Sequence, residues 1–222
     1  MITVIIGLNI LRSIWKNKEK YIKENKRTTY QRAFKKFTIG LPFLFSVIAH
    51  IFIPIRSFFL ITPINNFTII LSTSIFAFSP FTSLIGFYIQ VILSLFYLIL
   101  GLLIVRKSLQ VFGIDYMTLV YLFYPNESKI QNHRIYSILH HPTYTGAICI
   151  TLGGLFINFS IYSIIQFFMI FLGLNCHIRF VEEPELIERF GKSYIEYRKN
   201  VPAFLIRFRD IPELFKFIIG KR

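Results

Sequence analysis

The stretch His140-His141-Pro142-Thr143-Tyr144-Thr145-Gly146 opens a run of apolar chain that meets its first charge at Arg179. A second polar stretch follows, from Glu182-Glu183-Pro184 through Phe190-Gly191, Tyr194 and Tyr197 to Val201-Pro202. From Ile135 to Ile178 there is no Asp, Glu, Lys or Arg. A bilayer crossing needs about 20 predominantly apolar residues, so this interval holds enough for two crossings joined as a hairpin. Imidazoles, phenols and carboxylates at the mouths of such a hairpin are costly beside lipid, and their presence there points to a site.

The same solvent accounts for the rest of the chain. Of 222 residues, 54% are hydrophobic and 18% aromatic, more than a water-soluble domain of that size needs. From Phe37 to Val105 the one formally charged side chain is Arg56. Phe37 to Leu60 reads as a span interrupted by Pro42 and Pro54, and Phe81 to Val105, ending at Arg106-Lys107, as the cleanest span. Thr62 to Pro80, with Pro63, Asn65 and Asn66, reads as interfacial or re-entrant, and so does Val111 to Tyr124 with its Asp115. The expected fold class is all-α, a polytopic membrane helical bundle of roughly four to six spans with a C-terminal, cytoplasm-facing pocket.

Charge orients that bundle. Lys16 to Lys36 carries nine Lys or Arg against Glu19 and Glu24, which marks a cytoplasmic segment. The net charge of +14 collects between apolar runs and at the two ends, a pattern that fits topology and argues against nucleic acid as a partner. If that segment, Arg106-Lys107 and the charged C-terminus share one side, an even number of crossings separates each pair, so Thr62 to Pro80 does not count as a full span. Met1 to Ile14 is apolar but has no basic start and no small-residue cleavage site, against a signal peptide. The organisation expected is therefore 1–36 as an apolar segment and basic linker, 37–105 as N-terminal transmembrane helices, and 106–222 as the region that carries the chemistry.

Local signals fill in that last region. Pro142 suits the first turn of a helix, where its missing N–H costs nothing, which puts His141 at the cap and His141, Tyr144 and Thr145 on one face. Gly146, Gly153, Gly154 and Gly173 would let the two arms of the hairpin, turning near Asn158-Phe159-Ser160, approach closely. Pro184 biases Glu183 away from helical geometry and predicts a break where the last span ends. Beyond it, Leu186, Phe190, Tyr194 and Tyr197 recur at helical spacing, with a possible interruption at Gly191. Pro212 to Lys221 reads as a surface anchor. Cys149 and Cys176 lie in opposite arms without metal-type spacing and read as packing residues. His140 and His141, as neighbours on a helix, would point in different directions, so no metal is expected. The plainer reading of the same residues is an interfacial helix start with belt aromatics and a solvated acidic turn.

The ordered set Tyr136-x4-His141-Pro142-x-Tyr144-x-Gly146, Glu182-Glu183, Phe190-Gly191, Tyr194-x2-Tyr197 and Val201-Pro202 resembles the C-terminal half of the isoprenylcysteine carboxyl methyltransferases and their phospholipid-methyltransferase relatives, over about Leu103 to Arg207. The resemblance implies S-adenosyl-L-methionine as cofactor. It implies cofactor-binding positions at Tyr136, His140, His141, Pro142, Tyr144, Gly146, Glu182, Glu183, Tyr194 and Tyr197, and catalytic positions at Glu182, Glu183 and Arg198. The acceptor it implies is a lipid or a prenylated small molecule or protein. A carboxylate acceptor needs no base and would be positioned by Arg134, Arg198 or Arg207, whereas an amine needs a deprotonating group such as His141 or a glutamate. Three positions depart from the pattern: His140 stands where the family usually has Arg, Arg134 where it commonly has Gly, and Asn200 where it has a basic residue. Three other readings stay open: an NADPH-dependent enzyme resembling the sterol reductases, a phospholipid N-methyltransferase, and a non-catalytic membrane scaffold.

Overall fold

A computed structural model of the chain describes residues 2–23, 32–33, 35–36, 39–40, 69–71, 73–75, 80–113 and 129–220. The expected span Phe37 to Leu60 lies almost wholly outside them, as do most of Thr62 to Pro80 and of Val111 to Tyr124. Among the described residues the elements are helical, with one isolated antiparallel bridge between Ser74 and Ser160. The helices are α1 (Ile2–Lys16), α2 (Lys18–Ile22), α3 (Pro80–Phe112), α4 (Pro142–Asn158), α5 (Ile161–His177), α6 (Glu183–Phe190), α7 (Lys192–Asn200) and α8 (Ile211–Ile219). The chain divides into two compact units, residues 1–47 with 109–131, and residues 48–108 with 132–222. The site described below lies in the second.

Among the described residues, two helical runs are long and apolar enough to cross a membrane: Leu84–Phe112, of 29 residues, and Ile161–Phe190, of 30. Their most apolar windows are only 22% and 6% buried within the protein. Ile92, Ile99, Phe168, Met169 and Leu172 are all exposed. Exposed apolar surface on that scale is the kind that a lipid-facing helix presents. α3 holds the span expected from Phe81 to Val105 and continues past Arg106-Lys107, so that Val111 and Phe112 are its last turn rather than the start of a separate piece.

Glycines set how closely α3 and α4 pack. A Cβ built on Gly101 would lie 2.6 Å from the carbonyl oxygen of Gly146, and one on Gly146 would lie 2.5 Å from Val105 Cγ2. One on Gly153 would reach 3.0 Å from the carbonyl oxygen of Ser94. The close approach is therefore between α4 and α3, not between the two arms of the hairpin as the sequence suggested. Gly173, on α5, faces nothing within 4 Å. The hairpin itself turns where expected, at Phe159 (φ 28°) and Ser160, whose hydroxyl accepts from the Ser163 amide at 3.2 Å. Both cysteines are free; Cys149 is buried, but Cys176 is exposed on α5 and does not pack inside the protein.

The break expected at Pro184 is absent. Glu183 is helical (φ −62°, ψ −46°), and α5 runs into α6 through a π-helical turn, Ile178–Glu182. A proline inside a regular helix clashes with the carbonyl four residues back and leaves it without a donor. The wider π turn just before Pro184 gives the ring room and lets the helix pass through, and such turns recur at functional sites. The interruption at Gly191 is present: its backbone (φ 58°, ψ −135°) is one that glycine adopts at little cost, and it separates α6 from α7.

Candidate functional site

His140 and His141 precede α4, and Pro142 occupies its first turn. His141 is not helical (φ −123°, ψ 61°), which overturns the expectation that the neighbouring rings diverge. Their centroids are 4.6 Å apart and both rings converge on one carboxylate. The chain after α7 holds them there. The His140 amide donates to the carbonyl of Pro202 (3.0 Å), the His141 amide to that of Ala203 (2.8 Å), and the Thr145 hydroxyl to that of Phe204 (2.7 Å). Phe204 in turn packs with Ile148 and Ile178, so α4, the end of α5 and the 201–204 strap share one apolar base.

Glu183 is the hub. Its Oε1 lies 2.9 Å from His140 Nε2 and 3.0 Å from His141 Nε2, and it accepts from the Tyr194 hydroxyl at 3.0 Å. Its Oε2 accepts from Arg198 Nη1 at 2.7 Å. The other ring nitrogen of His140 lies 2.9 Å from the carbonyl oxygen of Val201, so both nitrogens face acceptors. The Tyr197 hydroxyl donates to the carbonyl of Tyr136, which ties α7 to the 3-10 turn Arg134–Ser137. A buried carboxylate is tolerated on these terms: charged and hydrogen-bonded partners on every side.

Glu182 is held differently. Its Oε1 is 3.4 Å from His141 Nδ1, while its Oε2 is buried and has no hydrogen-bond partner among the described residues. Burial alone would lower the His141 pKa, but hydrogen bonds to Glu182 and Glu183 outweigh it and raise the pKa from 6.5 to about 9. The phenols of Tyr136 and Tyr194 are pushed above their ordinary range, first by burial and then by Glu182 and Glu183 respectively. Tyr144 sets its ring edge against His141 at 5.6 Å and stacks on His177.

A cavity of about 290 Å³ opens beside the hub, lined by His140, Glu183 and Arg198 together with Asn175, Ile178, Arg179, Ala203 and Phe204. The sequence reading had named the first three. It missed Arg179 and Asn175; the available signal was that Arg179 is the first charge after the long uncharged run that began at Ile135. Of the residues expected to act, His140, His141, Glu182, Glu183, Tyr194 and Arg198 form one connected cluster, with Tyr136, Tyr144 and Tyr197 at its edge. Gly146 is not among them, since it packs against α3. Arg134 is exposed with φ 56°, and Arg207 donates to the carbonyl of Asn200; neither lines the cavity.

The donor atoms of His140, His141 and Glu183 all lie within 4.8 Å of one another, a grouping that the sequence spacing did not suggest. Direct hydrogen bonds already account for it. The Arg198 guanidinium on the same carboxylate supplies the cation that a metal would otherwise bring.

Among the described residues, two long apolar helical runs and a buried acid–imidazole–phenol cluster at a helix junction occur together. The segment 89–193, just under half of the chain, matches the family model described as phospholipid methyltransferase. The match takes in most of α3, the His140-His141-Pro142 motif, α4, α5 and the Glu182-Glu183 turn; Tyr194, Tyr197, Arg198 and the strap lie just beyond it. No curated protein and no solved structure matches the chain.

Proposed function

We propose that the chain is an S-adenosylmethionine-dependent membrane methyltransferase whose acceptor is lipidic and bears a carboxylate. The observation that carries the cofactor assignment is the orphaned Oε2 of Glu182, a buried acceptor with no partner among the described residues, on a residue inside the matched segment and next in sequence to Glu183, which lines the cavity. A buried acceptor of this kind is costly unless a ligand donor reaches it, and the nucleoside cofactor carries hydroxyl and amino donors. S-adenosylmethionine, when bound, supplies an electrophilic methyl group on a sulfonium. Glu182, His141 and Tyr144 are the residues to hold it, with the tyrosine ring available as a cation–π partner.

The chain's own groups then bind, orient and exclude water. Glu183 Oε1 has three donors already, so its part is to fix the two imidazoles, Tyr194 and Arg198 rather than to take a proton. His141, with a pKa of about 9, carries its proton at neutral pH and is a poor base. Burial would raise the Glu182 pKa, but its hydrogen bonds to His141 and Tyr144 lower it, so this carboxylate is a weak base as well, and an acceptor that is already ionised is favoured over an ammonium. Arg198 and Arg179 line the cavity and would orient such a carboxylate. The phospholipid N-methyltransferase reading is favoured by the family's description and would need an unassigned group to deprotonate the amine.

Purified protein is titrated with S-adenosylhomocysteine and, separately, with NADPH; binding of the first alone is expected, and binding of NADPH alone would reject the assignment. Radiolabelled methyl transfer to a prenylcysteine and to phosphatidylethanolamine then separates the acceptors. Label on the amine lipid and none on the carboxylate would overturn the carboxylate reading.

A further inference from the structure

We infer that the C-terminal segment from Leu205 to Ile219 is an interfacial element that docks on anionic phospholipid headgroups. α8 is divided into three sectors rather than two. Leu214 and Phe217 are buried, and Ile211 and Ile218 fall on their side of the helix. Pro212, Phe215 and Ile219 form a second stripe, apolar and exposed. Glu213 and Lys216 take the remaining sector. A helix seated on a protein in water needs one apolar side; one side against protein, one uncovered apolar stripe and one charged face suit the corner where protein, hydrocarbon and water meet.

The location of α8 agrees with that division. The Lys107 ammonium lies 5.6 Å from the centroid of the Phe217 ring, and Lys107 closely follows the end of the uncharged part of α3, at Val105. α8 is therefore moored beside the end of a candidate span, where apolar surface gives way to charge. Just ahead of it, Phe208 is 92% exposed and Leu205 63% exposed. Arg207 and Arg209 flank Phe208; with Arg106, Lys107 and Lys216 they outnumber Asp210 and Glu213, and Lys221-Arg222 follow in the sequence. Exposed aromatics among basic side chains match an anionic headgroup layer. A second copy of this chain, with its net charge of +14, would meet like charge there.

The chain has a single tryptophan, Trp15, which permits a clean depth measurement. In a Trp15→Phe background, Phe208→Trp is introduced into the full chain in lipid nanodiscs, with Phe215→Trp as a second reporter should the first fail to fold. Both indoles are expected to emit in the blue and to be quenched by lipids brominated near the acyl carbonyl, at least two-fold more in discs containing phosphatidylglycerol than in phosphatidylcholine alone. Water-like, unquenched emission in both discs overturns the docking. Equal quenching in the two overturns its assignment to anionic headgroups. Neither outcome depends on methyl transfer, so the activity reading stands or falls separately.

Discussion

His141 and Glu183 are 42 positions apart in sequence, yet Nε2 of one lies 3.0 Å from Oε1 of the other, with the side chains only 4% and 9% exposed. This contact joins the start of one apolar helix to the end of the next. The hairpin therefore closes on a charged pair at its polar mouth, and whatever perturbs that pair is felt by both arms.

The two adjacent glutamates should separate by phenotype. Glu183→Gln removes a buried charge on which two imidazoles and a guanidinium depend, and a loss of about 3–5 kcal/mol of stability is expected. Glu182→Gln leaves those contacts in place but removes one of the two carboxylates that raise the His141 pKa, so the unfolding midpoint should fall by clearly less than in Glu183→Gln. Its affinity for S-adenosylhomocysteine should instead fall about ten-fold or more, the cost of roughly one charge-assisted hydrogen bond. Thermal unfolding and titration calorimetry on both variants check this. Equal destabilisation by the two would contradict the division of roles.

Much of this arrangement was legible beforehand, because Pro142, Gly191 and the uncharged run report local chain geometry and solvent directly. The hairpin turn at Phe159-Ser160 followed from that, whereas the clustering of His141 with Glu182 and Glu183 was what the family resemblance implied. What was not legible depends on tertiary packing. Pro184 looks like a break unless a π turn precedes it, and nothing in the residue pattern announces an extra residue in a helical turn. Gly146 and Gly153 advertise close contact but not with which helix, and α3 proved to be the partner. The convergence of His140 and His141 depends on the backbone before the cap, which the strap at Pro202 and Ala203 fixes from sixty residues away.

Stability should fall at alkaline pH through His141. Its folded pKa, about 9, lies above the ordinary 6.5, so the stabilising contribution is fully present below about 6.5 and is lost as pH rises through 9. Its size is at most about 3 kcal/mol. Unfolding midpoints measured across this window should decline in the wild-type protein and flatten in His141→Gln. An unchanged slope in the variant would assign the decline to another group.

The α3–α4 contact makes opposite predictions for two similar substitutions. Gly101→Ala forces a methyl group to within 2.6 Å of a backbone oxygen that cannot rotate away, so the helices must separate, at a cost of about 1–3 kcal/mol. Gly173→Ala meets nothing within 4 Å and replaces a poor helix former in mid-helix, so it should be neutral or stabilising by up to about 1 kcal/mol. Comparing resistance to detergent-induced unfolding in the two variants tests which face of the hairpin the glycines serve.

Arg198 offers the sharpest test of a carboxylate acceptor. It is bound through Nη1 to Glu183 and lines the cavity, so one end of its guanidinium is fixed by the hub while the group as a whole borders the space for a substrate. Arg198→Lys keeps the positive charge but loses the planar fork, and lysine can serve Glu183 or a ligand but not both with the same geometry. The expected result is a rise in KM for a carboxylate acceptor of about ten-fold, corresponding to roughly 1.4 kcal/mol, with S-adenosylhomocysteine affinity nearly unchanged. Arg179→Gln, further from the hub, should raise KM without lowering the unfolding midpoint. If Arg198→Lys instead weakens cofactor and acceptor equally, the guanidinium acts through Glu183 alone, and the anion-orienting role passes to Arg179.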